Sequence, residues 1–110
     1  MTVRDLSKSL NAEIIAGENG VDNEVTCGYC GDLLSWVMGR AKNTSVWVTV
    51  MGNINSIAVA VLADISCIIL AENATLDADA KIKADEQEIP VMRLNMPQFE
   101  LCAAIDKLLK

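Results

Sequence analysis

The sequence predicts a single α/β domain with a small, mostly parallel sheet and helices on both faces. Its 110 residues are the length of one domain, so residues 1–110 are assigned to one unit. Apolar residues make up 52% of the chain and charged residues 22%, which is enough apolar material for a hydrophobic core. From residue 46 onwards, short apolar segments alternate with segments of helical length. This alternation is typical of parallel strands joined by right-handed helical crossovers.

The N-terminal part of the chain predicts two helices and two extended segments. Thr2 and Asp5 form a capping-box pattern ahead of apolar residues at helical spacing. Gly17 ends the first extended segment, and Gly39 is the predicted stop of a short amphipathic helix whose Trp36 is expected in the core. The elements are placed at 2–10 (helix), 13–17 (strand), 24–32 (extended) and 33–38 (helix).

The C-terminal part alternates strands with helices. The segment around Trp47 is β-branched and aromatic, as in a buried strand, and Trp47 is expected in the core. Pro97 suits the first position of a final helix. The apolar stripe predicted for that helix consists of Phe99, Cys102, Ile105 and Leu109. Strands are placed at 46–50, 67–71 and 90–94, and helices at 54–63, 77–87 and 97–110.

Composition excludes several classes of function. With 9 basic against 15 acidic residues the net charge is −6, and no stripe of Lys and Arg exists to bind nucleic acid. The apolar stretches are interrupted and no signal peptide is visible, so we expect a cytoplasmic protein that does not enter a membrane. Histidine is absent, and no phosphate-binding P-loop occurs. We therefore expect a non-enzymatic protein, with no cofactor other than a nucleotide.

The predicted helix at 54–63 is apolar around almost its whole circumference. A helix that rests on one face of a sheet needs an apolar stripe of only about 100°, so this helix needs a second cover. Covering roughly 300 Å² of apolar surface is worth about 7 kcal/mol before the costs of association. We expect a homodimer through this helix; cover by another helix of the same chain is the alternative. The predicted interface residues are Ile54, Ile57, Ala58, Val61 and Leu62.

The loop after the strand at 46–50 is the first candidate ligand site. Ligands of open parallel sheets bind beyond the carboxyl ends of the strands. Thr49 offers a hydroxyl there, Gly52 allows close approach of the backbone, and Asn53 or Asn55 caps a helix whose free amides attract an anion. A small anionic or nucleotide ligand fits this loop, although Asn53 and Asn55 also suit ordinary turn and cap positions.

The glycine-rich segment at 26–32 is the second candidate ligand site. Gly28 and Gly31 allow tight bends, and Thr26 lies beside them. Asp32, with Ser35 three residues later, forms a capping-box pattern for the following helix. The alternative is a purely structural role, in which Asp32 only caps the start of this helix.

Cys27 and Cys30 form a C-x-x-C pattern within the same segment. Such a pair at the start of a helix is a redox motif, or half of a metal site. No second pair and no histidine complete a tetrahedral zinc site. A redox or metal accessory protein acting through Cys27 and Cys30 is therefore the alternative function.

The segment T-x-G-x-x-G-D-L-L-S at 26–35, with its flanks at 22–38 and the segments 47–53 and 58–60, resembles a DRTGG domain over nearly the whole chain. The pattern departs from the family at Asn23, where Arg is common, and at Cys27, where Gly is common. The resemblance implies a fold similar to the N-terminal domain of HPr kinase/phosphorylase. It also implies a regulatory, self-associating domain that works with a metabolic or hydrogenase-related enzyme.

Overall fold

The computed structural model describes all residues, Met1–Lys110, as ten main elements. The strands are β1 (Glu13–Ala16), β2 (Cys27–Cys30), β3 (Ser45–Thr49), β4 (Cys67–Leu70) and β5 (Val91–Arg93). The helices are α1 (Val3–Leu10), α2 (Leu34–Arg40), α3 (Ile54–Leu62), α4 (Ala78–Gln87) and α5 (Gln98–Leu109). Each of these elements was predicted from the sequence, with bounds that differ by a few residues at most.

The five strands form one sheet in the order β1-β5-β4-β3-β2. Strands β2 to β5 run parallel, and β1 pairs antiparallel with β5. From β2 to β5 each new strand is added on the same side of the last, so right-handed crossovers place α2, α3 and α4 on one face. Helices α1 and α5 cover the other face. The predicted mostly parallel sheet with helices on both faces is confirmed.

Each face of the sheet carries its own hydrophobic core, because successive strand residues point to opposite sides. In β3, Trp47 packs with Ile57 under α2, α3 and α4. Its neighbours Val46 and Val48 pack with Leu101 on the side of α1 and α5. Trp47 is completely buried, as predicted, and its indole Nε1 donates a hydrogen bond of 2.8 Å to the Gly31 carbonyl.

The start of α1 is the predicted capping box. The hydroxyl of Thr2 accepts a hydrogen bond of 3.1 Å from the Asp5 amide, and the Thr2 amide donates one of 3.1 Å to Asp5 Oδ2. The bond from the Thr2 amide, followed by the Thr2 hydroxyl, holds the pKa of the Asp5 carboxyl below its usual value. Local sequence alone specified this helix start, because both partners lie within one turn.

Helix α2 differs from its prediction at both ends. It continues through Gly39 to Arg40, so Gly39 is not the stop; the extended backbone of Ala41 ends the helix. The side chain of Trp36 is 52% exposed, and the Arg40 guanidinium lies 3.8 Å from the centre of its ring. The prediction that Trp36 lies in the core is wrong, because Val37 is the buried residue of this short helix.

Helix α5 buries the predicted stripe except Phe99. Ile105 is buried, and Cys102 and Leu109 are partly buried against the same core. Leu101 is buried as well, whereas Phe99 is 86% exposed in the first turn. None of the helices combines the length and the apolar character that crossing a membrane requires.

Gly17 makes the tight connection after β1. Its φ of +68° lies in the left-handed region, and a Cβ atom on it would stand 1.9 Å from the carbonyl oxygen of Ile89. The amide of Gly17 also donates a hydrogen bond of 2.8 Å to Asp85 Oδ1, which ties the end of β1 to α4. Only glycine meets both the backbone angle and the spacing here.

Candidate functional site

The carboxylate of Asp32 is the centre of a hydrogen-bond cluster at the carboxyl edge of the sheet. Its Oδ1 atom accepts hydrogen bonds from the Thr49 hydroxyl at 2.6 Å, the Val50 amide at 3.0 Å and Gln98 Nε2 at 3.2 Å. The hydroxyl of Thr49 in turn accepts from the Met51 amide at 3.2 Å. Asp32 therefore joins the ends of β2 and β3 to the start of α5.

The carboxylate of Asp32 can still accept further hydrogen bonds. All of its bonds within the chain reach Oδ1, none reaches Oδ2, and the residue is exposed. A free carboxylate oxygen accepts hydroxyl or amino donors and repels phosphate. The chemistry of this cluster therefore suits the sugar or the base of a ligand rather than its anionic group.

The predicted role of Asp32 as a helix cap is wrong. The residue at the start of α2 is Leu33, and no side chain caps this helix. Because Asp32 turns towards Thr49, its carboxylate is not available to the α2 amides. Ser35 is exposed on α2, so the structure does not form the capping box of Asp32 and Ser35.

The loop after β3 holds the helix cap that was predicted. Asn53 Oδ1 accepts hydrogen bonds from the Ser56 amide at 3.0 Å and the Ser56 hydroxyl at 3.3 Å, whereas Asn55 is exposed in the first turn of α3. Gly52 approaches another loop rather than an open space. A Cβ atom on Gly52 would lie 2.0 Å from the carbonyl oxygen of Thr75.

The glycine-rich segment does not form one site, because most of it is strand β2. Thr26 precedes β2 at its other end, where its hydroxyl lies 2.5 Å from the Thr44 hydroxyl. Gly28 is in the middle of β2 and faces α5. Of the residues predicted in this segment, Gly31 and Asp32 reach the carboxyl edge.

The thiols of Cys27 and Cys30 lie on opposite faces of β2, because residues three apart in a strand point in opposite directions. Cys27 Sγ lies 3.3 Å from the Ser45 hydroxyl, on the side of α2. Cys30 lines a cavity under α5 with Cys102. No group of three or more potential ligands could hold a metal ion. The geometry therefore does not support the predicted redox or metal pair of Cys27 and Cys30.

The cavities of the single chain lie away from the carboxyl edge. The most apolar one, of about 220 Å³, lies between β2 and α5. There are also two polar depressions. One lies beside β1 and α4, and the other lies at the amino ends of the parallel strands. Asp32, Thr49 and Asn53 line none of the three. The edge site is thus shallow in one copy of the chain.

The outer side of α3 is apolar and faces solvent. Leu62 is 74% exposed, and Ile54, Ala58 and Val61 are also exposed along the same helix. Ile57 is not part of this surface: it is buried in the core of its own chain, which corrects its assignment to the interface. We call the exposed set Ile54, Ala58, Val61 and Leu62 the α3 surface.

The sequence did not point to Gln98 as a site residue. Gln98 is the first residue of α5, and it meets Asp32 although 66 residues separate them. This contact depends on the chain after β5 passing the ends of β4 and β3, so that α5 begins near the end of β2. No spacing within the sequence indicates it.

One comparison with known proteins found a solved structure that shares the fold of this chain. A crystal structure of the CBS and DRTGG domains of the regulatory region of Clostridium perfringens pyrophosphatase, complexed with the activator diadenosine tetraphosphate, matches with a TM-score of 0.73. The sequence identity is 12%, and the match covers 94% of this chain and 45% of that chain. No family model and no curated protein matches the chain. The similarity therefore shows the fold, which is DRTGG-like.

Proposed function

We propose that this protein is a non-enzymatic regulatory module that binds a small ligand, such as a nucleotide, at the carboxyl edge of its sheet. The observation that carries the proposal is the Asp32 cluster, in which three elements converge on one exposed carboxylate. Ligands of open parallel sheets bind at this edge. The similar pyrophosphatase region is regulatory and was solved with a nucleotide activator, which supports the same class of function.

The negative charge at the carboxyl edge of the sheet determines how the ligand is oriented. Asp32 Oδ2 accepts a ribose hydroxyl or a base amino group, and the exposed Glu72 after β4 adds a second negative charge. The phosphates of a nucleotide then lie away from Asp32, towards the start of α3. The amides of the first turn of a helix favour an anion there.

The module works as a homodimer through the α3 surface. This helix starts at the carboxyl edge, so a second copy packed on it adds walls to a site that is shallow in one chain. Four exposed apolar side chains on one helix form the kind of patch that marks a protein contact. The regulated partner that the DRTGG resemblance implies is a metabolic or hydrogenase-related enzyme.

Adenine nucleotides, including diadenosine tetraphosphate, and acyl phosphates should be compared in a thermal-shift panel. A ligand present at 100 times its Kd stabilises the fold by about 2.7 kcal/mol. For a nucleotide that binds, we expect Asp32→Asn to raise the Kd about tenfold or more. The substitution keeps the shape but removes a hydrogen bond to a charged group, worth about 1.5–3 kcal/mol.

The control for this experiment is Glu86→Gln, which makes the same change of charge at an exposed position of α4. We expect this variant to bind as the wild type does. A panel without any stabilising ligand would contradict the proposed ligand class. Equal affinities of the Asp32 and Glu86 variants would contradict the proposed position.

Sedimentation equilibrium at about 100 μM should find a dimer, because association through the α3 surface removes its apolar side chains from water. Leu62→Glu places a charge on the most exposed residue of that surface and should weaken the dimer at least tenfold. Phe99→Glu changes an equally apolar, exposed residue on the other side of the sheet and should leave the dimer intact. A wild-type monomer at this concentration would overturn the dimer.

A further inference from the structure

The apolar cavity under α5 brings two cysteines together. Gly28 and Cys30 line it from β2, and Cys102, Ile105 and Leu109 line it from α5. Gly28 contributes no side chain, so space of about 220 Å³ remains between the edge strand and the helix. The walls around the two thiols are therefore mostly apolar and not crowded, with Asp106 of α5 as the charged residue among them.

The two thiols differ in their access to solvent. Cys30 is exposed, whereas Cys102 is partly buried. Burial, followed by the neighbouring thiol of Cys30, raises the pKa of Cys102 to about 12. The other two cysteines are directed elsewhere: Cys27 contacts Ser45 on the opposite side of the sheet, and Cys67 is buried in β4.

We propose that Cys30 and Cys102 are a modification site at which a small-molecule disulfide forms a reversible cross-link between β2 and α5. The thiolate of Cys30 attacks one sulfur of the small disulfide, which breaks its S–S bond and releases one thiol. Cys102 then gives its proton to solvent and attacks the Cys30 sulfur, and the second small thiol leaves. The protein loses two electrons and two protons, and the small disulfide gains them.

The accessibility of the thiols fixes this order of events. The exposed Cys30 meets the oxidant first, because attack requires an accessible thiolate. Cys102 acts second because its proton is held tightly, and the Cys30 sulfur beside it is the nearest target. The cross-link joins residues that are 72 positions apart in the chain (102 − 30). It therefore fixes α5 against the sheet and raises the urea concentration at which the domain unfolds.

The test uses the full reduced chain, incubated with oxidised glutathione and mapped by mass spectrometry after trypsin digestion without reduction. Cys27 and Cys30 share the tryptic peptide 9–40, Cys67 lies in 43–81, and Cys102 lies in 94–107. We expect two of the four thiols to disappear and peptide 9–40 to be joined to 94–107 within one chain. A bond inside peptide 9–40, or one between two chains, would overturn the proposal.

Matched variants separate the cysteines. Cys27→Ser should form the same cross-link as the wild type, because its thiol is on the other side of β2. Cys102→Ser should stop at a glutathione adduct on Cys30, since no second thiol completes the exchange. A wild-type protein that also stops at the adduct would refute the cross-link. This mapping needs no nucleotide, so its outcome is independent of the proposed function.

Discussion

Replacing Gly17 with alanine should destabilise the domain by more than about 4 kcal/mol, a large part of the 5–15 kcal/mol that stabilises a typical protein. Two costs act together. The left-handed φ of +68° is unfavourable for a residue with a Cβ atom, by about 1–2 kcal/mol. The added methyl group would also stand 1.9 Å from the Ile89 carbonyl oxygen and 2.7 Å from the Pro90 nitrogen, so the backbone before β5 must move.

Urea unfolding followed by circular dichroism measures this loss. Gly39→Ala is the control, since a Cβ atom on Gly39 meets nothing within 4 Å in helix α2. Because alanine favours a helix over glycine by about 1 kcal/mol, this variant should be as stable as the wild type or more stable. Similar unfolding midpoints for the two alanine variants would show that the contact of Gly17 with Ile89 is not as tight as described.

Replacing Trp47 with alanine should cost about 3–5 kcal/mol, the range for removing a large aromatic side chain from a core. Trp47 has no exposed surface, and its removal also leaves the Gly31 carbonyl without the indole hydrogen bond of 2.8 Å. The backbone at Gly31 precedes Asp32, so the proposed ligand site should become less well ordered as well.

Trp36→Ala is the matched control for this second prediction. The Trp36 ring is 52% exposed and contacts the Arg40 guanidinium at the surface, so its loss should cost less than about 1 kcal/mol. Urea unfolding at low protein concentration, where the proposed dimer would not contribute, should show a clear difference between the stabilities of the two variants. If Trp36→Ala were the more damaging, the assignment of the core would be wrong.

Sequence patterns were sufficient where neighbouring residues decide the outcome. The capping box of Thr2 and Asp5 lies within one turn, and the apolar run of β4 is buried because helices cover both faces of the sheet. The same patterns failed where packing between distant segments decides. Phe99 and Trp36 suited amphipathic helices by spacing, but the rotation of each helix on the sheet leaves them in solvent.

The candidate site was predicted in part for the same reason. Thr49 was expected at the carboxyl end of a strand, and it lies there. The bond from Thr49 to Asp32 requires β2 and β3 to be neighbours, and the bond from Gln98 requires the chain after β5 to pass two strands before α5 begins. Strand order is a tertiary property, so residue spacing could not show that these three side chains meet.

The position of α5 has a consequence for synthesis on the ribosome. This helix covers β2 and β3, which are made about fifty to seventy residues earlier, so their apolar face stays uncovered until α5 has emerged. A nascent chain that ends at Arg93 has all five strands, yet Val46 and Val48 remain uncovered on that face. Such a chain would be a target for chaperones and prone to aggregate.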